Sequence, residues 1–422
     1  MSKTWRQVRG NRAVQADHVP LPPLATIAAA LRKTTEALAL ELASTTTQPP
    51  AWTAFEWRMA RVAAVIHGIS PLLATRLRWS GPGDWDQFLQ QQKSHVEQRH
   101  QRIERLMKQI DIATRLKSVG VTALKGAAMH RVGLCQAGER PMGDIDLLVR
   151  PPDLSVAAQL LPPLGYHESA TTWRHKIFEP VDYAVPAGFG EHPDTPIKIE
   201  VHTKIAERLP WSEIDITRDV QASEVGVGVQ HYATTDALML HQLLHAAGNM
   251  SSRWLRMLQL SDIATIAALM RDADWARLLA NDGVARRRWW AYPPLRLTAR
   301  YFPDLIPGHV LTALARHCPT ALRFKSKHCC LSDVSSSSLW VAAVPAAVWA
   351  KTPTELGTYL WRRLRPSPDE MATLGESTRA QPWAVEDTWY SNSQRRRLMQ
   401  WTFSRPARPQ ILHAVRLAQQ SA

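Results

Sequence analysis

Apolar residues recur at helical spacing along most of the first 118 positions. This spacing predicts a helix over 24–43, a helical pair over 54–77 with a break at 68–71, and a long helix over 85–118. Prolines, arginines and a polar stretch surround the first of these helices. We therefore expect residues 1–53 to form a loosely attached, partly flexible N-terminal extension.

Beyond residue 118 the pattern changes to strict alternation. In 143–149, apolar residues alternate with Asp144 and Asp146, which predicts a strand with two acids on one face. A second alternating stretch at 197–202 predicts a strand on which Lys198, Glu200 and His202 share a face.

Shorter elements connect these two strands to the helices. A buried strand is predicted over 121–124, then a turn at Lys125 and Gly126 and a helix over 127–134; another helix is predicted over 154–161. The fold class is therefore α/β, with a small mixed sheet flanked by N-terminal helices and a C-terminal helical domain.

The second half of the chain is predicted to be mostly helical, with helices over 236–247, 254–270, 275–279 and 311–322. The serine run 335–338 indicates a linker. We expect five segments: the extension 1–53, a helical region 54–118, the α/β core 119–205, a helical domain 206–334, and a C-terminal linker and basic tail 335–422.

Composition narrows the choice of partner and compartment. The chain has 422 residues, 51 Lys and Arg against 37 Asp and Glu, and a net charge of +14. This charge favours a polyanionic partner, such as RNA, DNA, an anionic membrane or a polyphosphate substrate.

The cysteines and the apolar runs indicate the compartment. Four cysteines do not form a disulfide scaffold, and the first thirty residues lack the apolar core of a secretory signal. The most apolar run, 339–350, is shorter than the about 20 residues of a membrane span, so we expect a cytoplasmic protein that does not cross a membrane.

The acids of the two alternating strands carry the candidate chemistry. Asp144 and Asp146 point the same way, about 6–7 Å apart at their bases, and Glu200 is an acid at a polar position of the other strand. Mg²⁺ prefers oxygen ligands and is usually held by carboxylates together with substrate phosphates. The three acids therefore predict a site for a metal ion and a nucleotide.

Several motifs resemble one known family. They are Leu124-Lys125-Gly126, Arg140-Pro141-Met142-Gly143-Asp144-Ile145-Asp146-Leu147-Leu148-Val149 and Ile199-Glu200-Val201-His202, with further likeness in the stretches 64–73, 240–245, 254–256 and 262–264. The chain thus resembles, over about 54–279, the uncharacterised bacterial nucleotidyltransferase family of the DNA polymerase beta superfamily.

The resemblance implies an activity and a set of site residues. Asp144, Asp146 and Glu200 correspond to the metal-binding, catalytic acids, with Mg²⁺ or Mn²⁺ as the cofactor. Gly126 resembles the glycine that lets the triphosphate approach the first helix, although the chain reads Gly126-Ala127 where the superfamily usually has Gly-Gly or Gly-Ser. From their charge and position, Lys125 and Arg140 are predicted to bind the phosphates.

The expected reaction moves an NMP group from an NTP, such as ATP, to an acceptor hydroxyl and releases pyrophosphate. The acceptor is a sugar, a small metabolite, a protein or an RNA; the sequence does not choose among them. One alternative is a non-catalytic nucleotide- or RNA-binding protein that kept the fold, and another is a structural adaptor. Trp289-Trp290 after Arg286-Arg287-Arg288 would suit RNA, but packing of an amphipathic helix is the favoured interpretation of that run.

Overall fold

The computed structural model describes residues 20–183, 188–209, 212–221, 226–280, 282–366 and 393–420. Helices precede and follow a central sheet. The strands are β1 (Gly120–Ala123), β2 (Asp144–Val149), β3 (Tyr166–Thr171), β4 (His175–Pro180), β5 (Lys198–His202), β6 (Ala206–Leu209), β7 (Ser212–Asp215) and β8 (Gly228–Gln230).

The helices fall on both sides of the sheet segment in the chain. The first group is α1 (Leu24–Ala43), α2 (Ala54–Ile66), α3 (Ser70–Arg76) and α4 (Gly83–Leu116), and the sheet segment contributes α5 (Lys125–Arg131), α6 (Leu154–Gln159) and α7 (Thr217–Val220). The later helices are α8 (Thr235–Ser252), α9 (Met257–Ala267), α10 (Asp272–Leu279), α11 (Asp282–Arg287), α12 (Tyr292–Tyr301), α13 (Gly308–His317), α14 (Thr320–His328), α15 (Leu331–Val334) and α16 (Pro353–Leu364), followed by helices Gln394–Phe403 and Pro409–Gln420.

The main sheet has six strands in the order β3-β4-β5-β2-β1-β8. The pairs β2–β5 and β1–β8 are parallel, and the other pairs are antiparallel, so the sheet is mixed. Strands β6 and β7 form a separate antiparallel pair. The predicted α/β class, with a small mixed sheet flanked by helices, is confirmed.

The two faces of the central strands have different surroundings. Ile145 and Leu147 of β2 and Ile199 of β5 are buried in a core cluster with Ile110 of α4 and Ala157 of α6. Fully burying one such aliphatic side chain stabilises the fold by about 1.5–3 kcal/mol. Because side chains alternate along a strand, the acids of β2 and β5 project from the opposite face.

Strands β3 and β4 were not predicted from the sequence. Of the six residues of edge strand β3, Tyr166 is the only buried one, and β4 buries only His175 and Phe178. A strand with so few buried positions lacks the apolar alternation that identifies a strand in a sequence.

Two predicted local structures are wrong. Lys125 and Gly126 do not form a turn but are the first residues of α5, which begins directly after β1. The predicted helix over 311–322 is two helices, α13 and α14, separated at Pro319. Proline disfavours the helical conformation of the residue before it, so the first helix ends before Pro319.

The N-terminal helix is part of the core rather than loosely attached. Leu31 of α1, Met59 of α2, and Ile411 and Val415 of the helix Pro409–Gln420 lie in one cluster and are at most 1% exposed. The expectation of a loose extension is therefore wrong for α1, and the end of the chain contributes to the same core. Residues 1–19, which belong to the predicted extension, and residues 367–392 of the predicted tail lie outside the described residues.

The serine run 335–338 is not an exposed linker. Ser335, Ser336 and Ser337 are at most 6% exposed. The Ser337 hydroxyl lies 2.5 Å from His67 Nε2 and 2.6 Å from the Thr35 hydroxyl. Hydrogen bonds of this kind allow a polar segment to be buried, and the sequence does not reveal the partners.

None of the described helices combines the length and the apolar character that a membrane span requires.

Candidate functional site

The three predicted acids lie on one face of the sheet. Asp144 and Asp146 are two residues apart on β2, and the parallel register of β2 with β5 places Asp146 directly beside Glu200. One carboxylate oxygen from each acid lies within 4.8 Å of the other two. The alternation of side chains orients each acid, and the pairing of the strands brings Glu200 to the other two.

Lys125 is the cation closest to this group. Its Nζ donates a hydrogen bond to Asp146 Oδ1 at 2.8 Å. Its backbone N–H donates to the Tyr232 hydroxyl at 3.1 Å, and its φ of 44° lies in the left-handed region that non-glycine residues adopt rarely. Burial lowers the pKa of the Lys125 ammonium, but Asp146, Asp144 and Glu200 together raise it above its ordinary value. Lys125 is therefore charged and compensates part of the negative charge of the acids.

The three carboxylates differ in their tendency to ionise. Burial raises the pKa of Asp146, but the charge of Lys125 and a hydrogen bond from His202 hold it well below its ordinary value. Burial also raises the pKa of Glu200, but the hydrogen bond from His202 and the charge of Lys125 together lower it below its ordinary value. Asp144 is exposed as a residue, but desolvation of its carboxylate by the surrounding protein and the charge of Asp146 raise its pKa to about 6. The group thus holds more negative charge than Lys125 alone neutralises.

Two histidines complete this face of the sheet. His202 Nε2 lies 2.9 Å from Asp146 Oδ1 and 3.4 Å from Glu200 Oε2. Burial lowers the pKa of His202, but its hydrogen bonds to the two carboxylates raise it above the ordinary value. His175 of β4 is paired opposite His202, with ring centroids 4.6 Å apart, and its Nε2 is 3.7 Å from Glu200 Oε2. Burial lowers the pKa of His175 to about 4, so its ring is neutral.

Only one of these histidines could be predicted from the sequence. His202 is predicted to share a face with Glu200 because it stands two residues after it. His175 joins the site through β4, which sequence periodicity did not identify.

Two overlapping sets of side chains are spaced to hold a metal ion. Asp144, Asp146 and Glu200 form an all-oxygen set, and His175, Glu200 and His202 form a mixed set, in each case with ligand atoms within 4.8 Å of one another. Oxygen ligands suit Mg²⁺ and Mn²⁺, whereas imidazole nitrogens suit transition metals. The all-oxygen set therefore fits the cofactor that the sequence predicts.

Arg140 is held beside the acids by a buried partner. Its Nε donates to both carboxylate oxygens of Asp262 on α9, at 3.0 and 3.2 Å, and its Nη2 donates to Oδ2 at 2.8 Å. Burial lowers the pKa of the Arg140 guanidinium, but the charge of Asp262 and its hydrogen bonds raise it above the ordinary value. Asp262 lies in the stretch 262–264 of the family resemblance, and in the structure it is the partner of Arg140.

Gly126 makes room for the Arg140 guanidinium. A Cβ atom at this position would overlap Arg140 and lie 2.6 Å from Met142 Sδ. The space above Gly126 thus holds the guanidinium of the chain itself, at the first turn of α5 and next to the acids.

Arg256 is a further cation of the site that sequence reasoning did not single out. It is exposed at the start of α9, and its charge lowers the pKa of Asp144, opposing the effects of desolvation and of the Asp146 charge. Arg256 lies in the stretch 254–256 of the family resemblance, which by itself predicts no role for it. Lys125, Arg140 and Arg256 therefore surround the carboxylates with positive charge.

The Arg-Trp run and the histidines in and around the stretch 240–245 have structural surroundings. Trp289 and Trp290 are 3% and 1% exposed, so packing explains the tryptophans of the Arg-Trp run and they do not present a stacking surface. His241 Nδ1 lies 2.6 Å from the Tyr232 hydroxyl, and His245 Nδ1 lies 3.4 Å from Glu207. These two histidines therefore bond to separate partners.

The region that matches a known protein family contains all of these residues. A family model described as an uncharacterised nucleotidyltransferase matches residues 53–303, which is more than half of the chain. No curated protein and no solved structure matches the chain.

Proposed function

The chain belongs to the uncharacterised nucleotidyltransferase family, and from this premise we propose that it transfers an NMP group from an NTP to an acceptor hydroxyl with release of pyrophosphate. The acceptor is an unidentified sugar, metabolite, protein or RNA.

The observation that carries this proposal is the convergence of three carboxylates on one rigid face. Asp146 and Glu200 stand side by side in the β2–β5 pairing, and Asp144 is two residues from Asp146. A catalytic group on paired strands is positioned more accurately than one on a loop. Convergent carboxylates repel each other unless a cation joins them, so this arrangement supports a metal-dependent function.

The donor set fits a divalent metal of the Mg²⁺ class. Asp144, Asp146 and Glu200 would hold the ion, and the pKa of Asp144 is raised to about 6 by desolvation and by the charge of Asp146, both of which a bound cation would oppose. When bound, a divalent ion supplies electrostatic stabilisation of phosphate oxygens. Binding of ATP, and Mg²⁺ or Mn²⁺ as the ion, are part of the proposal.

The residues of the chain would bind the triphosphate and handle the proton. Lys125, Arg140 and Arg256 supply positive charge to the phosphates, with Arg140 oriented by Asp262. The acceptor oxygen attacks the α-phosphorus, the bond from that phosphorus to the bridging oxygen breaks, and pyrophosphate leaves. Glu200, whose lowered pKa keeps it ionised, would accept the hydroxyl proton.

A second candidate function is nucleotide binding without transfer. It is favoured by the close contact of Lys125 Nζ with Asp146 Oδ1, because the ammonium occupies an oxygen that a metal would need. The two candidates differ in whether pyrophosphate appears.

The test measures pyrophosphate release and label transfer from four α-labelled NTPs with Mg²⁺ or Mn²⁺, in a cell extract that supplies acceptors. Asp144→Asn and Asp146→Asn remove a charge with little change of shape, and Asp304→Asn is the matched control. Asp304 is exposed in a loop with φ of 67°, which asparagine also tolerates.

We expect the wild type and the Asp304→Asn control to transfer the label, and both site variants to lose this transfer. Metal-dependent NTP binding in calorimetry without any transfer would support the binding protein instead. Equal behaviour of the wild type and both site variants, with no NTP binding, would overturn both functions.

A further inference from the structure

A second pocket lies apart from the carboxylates. It has a volume of about 640 Å³ and is lined by parts of α1, α14, α15 and the segment 337–340, together with Arg253. Small-molecule sites usually have about 300–1,000 Å³. None of its lining residues belongs to the proposed nucleotide site.

The wall of this pocket carries an excess of positive charge. Arg32, Arg253, Lys325 and His328 line it, and Asp333 is the one acid among the described lining residues. Asp333 is already paired with Arg32, at 2.7 Å. Arg253 and Lys325 make no ion pair or side-chain hydrogen bond among the described residues. Two cations therefore face one cavity in which the only acid among the described lining residues is already paired with Arg32.

Burial and a neighbouring cation disfavour the charge of Lys325 at this position. Its side chain is half-buried at the pocket, where burial and the nearby charge of Arg253 lower its pKa. Two like charges that converge in a partly desolvated place cost free energy unless an anion joins them.

An aromatic surface adjoins the cations. Phe324, on the α14 segment that lines the pocket, is 69% exposed, and its ring centroid lies 4.9 Å from that of His328. Trp340 contributes a half-buried ring to the wall. Aromatic rings of this kind can pack against a flat, aromatic group of a ligand.

We propose that this pocket binds an organic phosphate, with its phosphate between Arg253 and Lys325 and its flat apolar group against Phe324 and His328. Arginine and lysine are the side chains that most often bind phosphate, and a cavity with few polar anchors and exposed aromatic rings is typical of a small-molecule site. The inference does not rest on the proposed nucleotidyltransferase function.

The test uses 1-naphthyl phosphate as the probe and calorimetry without added metal as the measurement. Lys325→Met keeps the length of the side chain and removes the charge, and Arg253→Asn suits the left-handed backbone at that position, where φ is 61°. Each substitution removes a charged hydrogen bond to the phosphate, so we expect binding to weaken about tenfold or more. The matched control is Lys327→Met, an exposed lysine of the same helix that does not line the pocket.

The control is expected to bind the probe within about twofold of the wild type, and 1-naphthol, which lacks the phosphate, is expected to bind far more weakly. Lys325→Met should also unfold at the same temperature as the wild type or a higher one, because it removes a charge repulsion, while losing the stabilisation that the probe gives. Failure of the wild type to bind, or equal binding by Lys325→Met, would overturn the proposal. Loss of probe binding in Asp144→Asn would also overturn it, because the probe would then occupy the nucleotide site. The transfer assay tests that other site, so the two failures are distinguishable.

Discussion

The pair of Arg140 and Asp262 should be one of the most strongly coupled contacts in the molecule. It joins the segment just before β2 to α9, which is 122 positions away in the chain. The side chains are 13% and 4% exposed, so removing either partner leaves a largely buried charge without compensation. We choose Arg140→Met and Asp262→Leu, which replace each charged group with an apolar one.

The magnitude follows from the cost of an unpaired buried charge. Breaking a buried pair from one side costs about 3–5 kcal/mol, whereas replacing both partners with apolar residues is often neutral. Because solvent reaches part of Arg140, we expect about 3 kcal/mol of destabilisation for each single variant. The double variant should be less destabilised than the sum of the singles by about 2 kcal/mol or more, which is within the range of directly contacting residues.

Urea unfolding followed by tryptophan fluorescence measures these differences, since the chain contains 17 tryptophans. The comparison holds where the slope of the unfolding curve is the same in all four proteins. Additive effects, with each single variant within about 0.5 kcal/mol of the wild type, would refute the idea that Asp262 holds Arg140. Arg140 would then be a solvated cation, and Gly126 would need another explanation.

Three further predictions test other parts of the structure. Gly126→Ala should destabilise the protein by about 1–3 kcal/mol in the same urea assay, because the new Cβ overpacks the site. The control is Gly357→Ala, at a helical glycine with nothing within 4 Å of the new Cβ, which should be neutral or stabilising by up to about 1 kcal/mol. Equal effects of the two substitutions would contradict the close approach of the Arg140 guanidinium to Gly126. The affinity for Mn²⁺, measured by calorimetry, should rise up to about tenfold per pH unit as the pH increases towards 6, and it should level off above about pH 7. The reason is that a proton competes with the metal at Asp144 below its pKa of about 6. An affinity that does not change with pH would show that Asp144 is not a ligand. Ser337→Ala should lower the unfolding free energy by about 1–3 kcal/mol, because it removes the buried partner of His67 Nε2; an unchanged urea midpoint would mean that water replaces the hydroxyl.

The chain's local patterns were enough to identify the elements that carry the site. Helical spacing correctly predicted α1, α2 and α4, and alternation predicted β2 and β5 with their acids on one face. These features are readable because side-chain direction along a helix or strand depends on positions only a few residues apart. The family resemblance over about 54–279 agrees with the family match over 53–303.

Contacts between distant residues could not be read from those patterns. The β2–β5 register, which sets Asp146 beside Glu200, joins strands separated by about fifty positions, and it brings His202 to the same carboxylates. His175 reaches them through β4, whose burial pattern has no clear period. The partner of Arg140 is 122 positions away, and no local signal connects the two.

The N-terminal region and the serine run 335–338 also show the difference between what local sequence predicts and what the tertiary structure decides. Their sequence is polar and rich in proline and serine, which indicates a loose extension and a linker when each stretch is considered alone. In the folded chain, α1 packs with the helix Pro409–Gln420, and Ser337 is buried against His67. Whether an amphipathic helix or a polar run is buried depends on which distant surface meets it, because burial and hydrogen-bond satisfaction are properties of the assembled structure.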